Sequence, residues 1–217
     1  MKHPRWCLKF ISPTEIHAVS TSVKAAESKT NGEIIPMIVR RSSSLGHLGL
    51  QIYSLFLLLA TFLYIGLDKF SNCDHAAWIA MGVAVILWPV SELLARVPRL
   101  QRLFTLPQDR DWQVHARATL EFHAAGLQKT KGRTGVLIFL SLMERKCVVL
   151  ADEGIAEKLP DETWVWIVER IIQGIRDGKT GEGLIAGIAE CGRILTEHFP
   201  AQGAHENEIP NQLIIKD

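Results

Sequence analysis

Residues 136–151, VLIFLSLMERKCVVLA, hold two apolar runs, VLIFLSL and CVVLA, separated by the four residues MERK. A gap of that length between two such runs predicts an antiparallel hairpin, and the rest of the chain is read outward from it. KTKGRTG, at 129–135, is the turn that precedes the first strand. Residues 109–128 before it read as a helix with Trp112, Ala116, Leu120 and Leu127 roughly on one face. On the other side of the hairpin, Asp161 is a candidate cap for a helix carrying Trp164, Ile167, Val168, Ile171, Ile172 and Ile175. That stripe follows the i, i+3, i+4, i+7 rule and is the clearest amphipathic pattern in the chain; Gly178 ends it. Leu184, Ile185, Ile188, Ala189 and Leu195 mark a last helix that stops before Pro200.

Near the start, Ser12-Pro13-Thr14-Glu15 is a helix entry: a capping serine, a proline suited to the first helical position and a glutamate that completes a capping box. Ile16, Val19, Val23 and Ala26 follow at helical spacing, and Asn31-Gly32 stops the helix. EIIPMIV, at 33–39, reads as a buried strand in which Pro36 favours an edge or a bulge. Apolar strands alternating with amphipathic helices predict an α/β sandwich with a small sheet.

Two uncharged apolar stretches interrupt this pattern. They are LGLQIYSLFLLLATFLYIGL at 48–67 and AAWIAMGVAVILWPVSELL at 76–94, whose one charge is Glu92 near its end. Each is close to the ~20 residues that cross a bilayer as a helix, and the link of eight residues makes them a transmembrane hairpin over 46–95. Arg40 and Arg41 precede the pair and Arg96, Arg99 and Arg102 follow it, while the loop between has Lys69 against Asp68 and Asp74. The positive-inside rule therefore places both flanks in the cytoplasm. The expected localisation is the bacterial inner (plasma) membrane, multi-pass, with a cytoplasmic domain. That domain is discontinuous, 1–45 with 96–200, because the first piece offers too little to bury a core alone. Residues 201–217 form a polar tail whose NQLII adds a short edge strand or stays loose. The start, MKHPRWCLKF, has no apolar h-region, so no cleavable signal peptide is expected.

The formal charge of +1 over 217 residues gives no footprint for nucleic acid. Cys7, Cys73, Cys147 and Cys191 show no CxxC spacing, which argues against zinc and against a disulfide framework. GIRDGKT, at 174–180, has three residues between its glycines where a phosphate loop needs four, and it follows a helix. Asp109-Arg110-Asp111 has no apolar strand before it, so it is not a phosphotransferase aspartate pair. His115 and His123 lie two turns apart without a metal motif, and His123 is expected to be partly buried and satisfied.

Phe122-His123-Ala124-Ala125-Gly126-Leu127, the run TKGRTGVLIF at 130–139, SLMERK at 141–146, VVLADEGI at 148–155 and the earlier Thr30-Asn31-Gly32-Glu33-Ile34 together resemble the TPM domain family. The resemblance implies an αβα sandwich with a small mixed sheet, here interrupted by the two-helix hairpin, and an acidic surface site near strand ends. Members are described as calcium-binding or as acid phosphatases, and a LemA-family membrane protein is the partner that genomic neighbours imply. The commoner bacterial arrangement is a signal peptide, an exported domain and a C-terminal anchor; in this chain the apolar segments lie inside the domain.

The candidate metal ligands are Glu33, Asp152 and Glu153, set at strand ends where a calcium or magnesium ion would gather oxygen ligands. Arg133 and Thr134, in the Gly-bounded turn, are the candidate anion donors. Strand-end solvation is the simpler reading of the carboxylates, because register cannot be read from sequence, and a hairpin-like turn with a solvated Arg is the simpler reading of Arg133 and Thr134. The functional expectation is a membrane-anchored, non-enzymatic interaction or regulatory module serving assembly or maintenance of membrane proteins, with lipid and a membrane protein as partners. A metal-dependent phosphatase using the three carboxylates is the alternative.

Overall fold

The computed structural model describes residues 4–43, 48–68, 76–97, 107–201 and 208–217. The chain divides into two compact units, 1–43 with 110–217 and the inserted 44–109.

In the first unit, Ser12 caps α1 (Pro13–Glu27): its Oγ accepts from Glu15 N at 3.3 Å, and Glu15 Oε2 accepts from Ser12 N at 2.8 Å, the reciprocal box foreseen from sequence. Asn31-Gly32 does not cap this helix, which ends at Glu27; the pair lies in the turn leading to β1 (Glu33–Val39). β2 (Gly135–Ser141) and β3 (Lys146–Ala151) form the expected antiparallel hairpin, with Ser141 opposite Lys146. β4 (Ile214–Lys216) comes from the tail and pairs parallel with β1. The order is β3-β2-β1-β4, with β1 and β2 also parallel.

β1 is therefore an interior strand, which corrects the edge or bulge expected from Pro36. The reason is the direction of the missing donor. Glu33 N donates toward β2 and Arg40 N toward β4, so by alternation the Pro36 nitrogen faces the β4 side. β4 begins only opposite Met37, so no ladder bond is lost.

The two faces of the sheet bury alternate residues. Ile34, Ile38, Val136, Ile138 and Leu140 pack with α1, α6 (Val165–Arg176) and α7 (Thr180–His198). Ile35, Met37, Val39, Leu137 and Phe139 pack with Val114, Ala118 and Phe122 of α4 (Pro107–Ala124) and with Leu127. Burying each large side chain contributes about 1.5–3 kcal/mol. α6 and α7 cross closely: a Cβ on Gly174 would stand 2.8 Å from the Gly183 Cα.

Three sequence expectations change. On α4 the buried stripe is Val114, Ala118 and Phe122, while Trp112 and Leu120 are 72 % and 68 % exposed. His123 is on the exposed side as well. Asp161 does not cap a helix; it opens a 3-10 turn, Asp161–Trp164, whose N-cap is Pro160 with no side-chain bond.

The second unit holds α2 (Leu48–Asp68) and α3 (Ala76–Ala95), the two helices expected at the apolar stretches. They run antiparallel. Tyr53 and Trp88 meet edge-on with ring centroids 5.2 Å apart, and Gly49 lies beside Glu92 and Ala95. Among the described side chains, Ile52 and Ala95 are buried between them and Phe56 and Leu94 partly so. Side chains are described for residues 49–62, 64–65 and 81–95 of the pair. Among the described residues no helix is long and apolar enough to cross a membrane, so the transmembrane part of the expectation is not supported by them. The connecting residues 69–75 and the basic Arg99 and Arg102 lie outside the described residues.

Candidate functional site

The N-terminal ends of β1 and β2 meet the C-terminal end of β3 along one sheet edge. Glu33 is opposite Gly135, and Val136 is opposite Ala151, so Glu33, the 133–135 turn and Asp152 share that edge. β2 stands between β1 and β3, however, which separates the strands carrying Glu33 and Asp152 by two spacings, about 10 Å. The sequence reading had them on adjacent strands.

Asp152 is the N-cap of a short helix, α5 (Glu153–Ala156), and its Oδ1 accepts from Glu153 N at 2.8 Å. Its backbone N–H donates to Gly135 O at 2.8 Å, which ties α5 to the start of β2. Arg133 grips the same carboxylate with both arms: Nε donates to Oδ2 at 2.9 Å and Nη2 to Oδ1 at 3.1 Å. Nη2 also stands 3.1 Å from Glu153 Oε2. The hydrogen bond and charge of Asp152, with a smaller contribution from Glu153, hold the guanidinium more firmly protonated than usual. Arg133 has φ of 55° after Gly132 at 82°, a tight turn that aims it at α5. Gly154 makes room for that turn: a Cβ there would stand 2.4 Å from Gly132 O.

These contacts answer the two sequence-based candidates. Thr134 is buried and its Oγ1 donates to Asn31 O at 2.8 Å, while Arg133 is engaged by Asp152. The pair is thus a structural brace, and both of its expected anion donors are committed within the chain. Both Asp152 oxygens carry the guanidinium, and a cation would have to share them with that positive charge. Among the described residues no group of three or more His, Cys, Asp or Glu is placed to hold a metal ion.

Glu33 belongs instead to a buried carboxylate pair that sequence reasoning missed. Glu27, at the end of α1, and Glu33 are both about 1 % exposed. Glu27 Oε1 accepts from Ile34 N at 2.8 Å and Oε2 accepts from Asn211 Nδ2; Glu33 Oε1 accepts from Glu208 N at 3.1 Å. Burial pushes the Glu27 carboxyl up to about 8, against the Ile34 hydrogen bond and with the help of the Glu33 charge. Residues 208–217 thus close over both carboxylates and then enter the sheet as β4.

A second missed feature lies at the opposite sheet edge, where the chain leaves β1. The buried Glu144 carboxylate accepts from Ser42 N at 3.2 Å, Ser43 N at 3.1 Å, Ser43 Oγ at 2.5 Å and Ser141 Oγ at 2.5 Å. Burial opposes its ionisation, but the bonds from Ser141, Ser43 and Ser42 outweigh it and hold the group below the usual 4.5. The device fixes the last described residues before the inserted unit to the β2–β3 turn. Cys7 and Cys147 are buried, with thiols pushed up to about 11 and about 12, and burial raises Cys191 too. Thiols of this kind are packing groups rather than nucleophiles.

The fold defined here is a small mixed sheet with helices on both faces and an inserted helix pair. Residues 97–194 match the family model described as TPM domain, the family that the quoted motifs resemble. Among solved structures, the NMR structure of BA42 protein from the psychrophilic bacteria Bizionia argentinensis sp. nov. is similar. The two are 20 % identical, with a TM-score of 0.58 and 95 % of each chain covered, a likeness of fold. No curated protein matches.

Proposed function

We propose that this chain is a membrane-anchored interaction module, in which the inserted pair holds a TPM domain at the bilayer and the domain engages a membrane-protein partner. The observation that carries the reading is the outward apolar surface of α2 and α3. Leu55, Leu58, Leu59, Phe62, Val85, Ile86 and Leu93 are all exposed. Soluble monomers rarely present contiguous apolar patches beyond a few hundred Å², whereas hydrocarbon solvates such a surface. The arginines on both flanks support a cytoplasmic domain. A module, rather than a hydrolase, is favoured by Arg133 holding the carboxylates that a metal would need.

The test is flotation of the full chain with lipid vesicles, paired with a phosphomonoester assay. Co-flotation without hydrolysis, together with crosslinking to a discrete membrane protein in native membranes, is expected. Failure to float removes the anchor. Hydrolysis that depends on Asp152 replaces the module with the phosphatase.

A further inference from the structure

The two sides of the sheet are finished differently. On the side of β1 that faces β4, Glu27 Oε1 accepts from Ile34 N, Pro36 has no N–H to offer, and β4 pairs with Met37, Ile38 and Val39. β4 itself is three residues long. Short edges and proline are among the ways in which sheets avoid pairing with other chains. β3 closes the other side with six residues, and its one charge is Lys146 at the start. Asp152 N donates inward to Gly135 O, so by alternation the N–H and C=O groups of Cys147, Val149 and Ala151 point away from β2. Among the described residues, none of these outward groups has a hydrogen-bond partner. Val148 and Leu150 on one face, and Val149 and Ala151 on the other, are half-buried.

From this we infer that β3 pairs with β3 of a second copy of this chain, antiparallel, about a two-fold axis at Val149, so that two sheets join into one. The occupant follows from self-complementarity. A two-fold axis at Val149 sets that residue against itself and Cys147 against Ala151 of the second copy, and every outward group finds a partner. Moving the axis by one residue in either direction leaves an outward residue beyond the end of the opposing strand. The same register orders the charges. It brings the basic end, Arg145 and Lys146, to the acidic end, Asp152 and Glu153, of the second copy, and does so at both ends of the contact. Lys146 is already on Asp111 at 2.5 Å, and Asp152 is held by Arg133. The contact therefore falls to Arg145 and Glu153. Arg145 is exposed and makes no side-chain bond among the described residues. The Glu153 side chain is 67 % exposed and meets Arg133 through Oε2 at 3.1 Å, with Oε1 left to solvent. A parallel pairing would instead set the basic ends together. This contact asks nothing of α2 and α3 and holds whether or not they enter lipid.

The experiment follows the mass of the full chain in mild detergent over a dilution series, by light scattering. A monomer–dimer equilibrium is expected. Arg145→Glu and Glu153→Arg each set like charges together at both ends of the contact, and each is expected to raise the dissociation constant about tenfold. The two combined in one chain are expected to restore it, because each new glutamate again meets an arginine of the second copy. A monomer at every concentration, or a dimer indifferent to both reversals, overturns the pairing. A disulfide readout needs no change of charge and decides the matter if a reversal disturbs the β2–β3 hairpin. In chains carrying Cys73→Ser, with Cys7, Cys147 and Cys191 buried, Val148→Cys is mixed with Leu150→Cys. The two positions oppose each other as a non-hydrogen-bonded pair with Cα atoms about 4.5 Å apart, within disulfide reach. A mixed dimer linked between them is expected. Links that form as readily between two Val148→Cys chains, or a dimer with no link, assign the contact to another surface, and the β3 pairing falls.

Discussion

Phe139, in the middle of β2, is wholly buried, whereas Phe62, in α2, is 78 % exposed. The contrast extends to their neighbours. In the sheet unit Ile35, Met37, Leu137 and Val114 close around Phe139; among the described side chains of the helix pair, Ile52 and Ala95 are the buried hydrophobics, and the leucines around Phe62 are exposed. Water drives the first set together; under the proposed anchoring the second meets surroundings that are themselves apolar. What joins the two is chain order: the insertion leaves the domain after β1 and returns before α4, so the strand placed before it ends up between two strands placed after it.

The largest test of this contrast is a matched pair of truncations. Phe139→Ala is expected to cost ~3–5 kcal/mol of domain stability, and Phe62→Ala less than about 0.5 kcal/mol, both read by denaturant unfolding in detergent. Equal losses would erase the distinction between the units. Next, Leu58→Arg places a charge in α2 at a cost of ~2.5–3.5 kcal/mol on the insertion scale. Fractionation should show the variant shifting out of membranes; an unchanged distribution would mean that α2 is not in lipid.

A smaller effect concerns the junction. Glu144→Ala removes the acceptor for Ser42, Ser43 and Ser141, and an unmade set of buried bonds of this kind costs ~1–3 kcal/mol. Faster amide exchange is expected at Ser42 and Ser43, with β3 protected as before. Unchanged exchange there would show that Glu144 does not fix the exit from β1.

The last is a pH slope. Glu27 has a folded pKa raised from 4.5 to about 8, so both states are protonated below 4.5 and the unfolded chain gains by ionising above it. Stability is thus expected to fall as pH rises from about 4.5 to about 8 and then to level. Glu144, with a lowered pKa, contributes in the other direction: its stabilisation is present above 4.5 and is lost as pH falls through its folded value. Glu27→Gln should flatten the slope between 4.5 and 8. A slope that persists would place its origin elsewhere.

Much of the sheet unit was legible. β1 falls on EIIPMIV and the box at Ser12 is in place, because strand runs and caps are local signals. The inner face of α4 was misread for a physical reason: Trp112, Ala116 and Leu120 repeat with the same helical period as Val114, Ala118 and Phe122, and size favoured the wrong stripe. Periodicity reports that a stripe exists, not which side the sheet takes. The braces were not legible, since Glu144 meets Ser43 across 101 positions and Arg133 meets Asp152 across 19. Pairings of that separation depend on register, which no local pattern carries. Glu33 was read as a candidate metal ligand at a strand end, and its setting with Glu27 and the returning tail emerges only when β4 joins the sheet.

The most direct measurement replaces residues 46–95 with a short flexible linker and compares this chain with the full one by alkaline extraction of membranes and by amide protection. The full chain is expected to resist extraction. The shortened chain should be released with β1, β2 and β3 still protected, since the domain closes around the gap on its own. A shortened chain that stays embedded, or one whose sheet loses protection, would contradict the division of this molecule into an anchor and a self-sufficient domain.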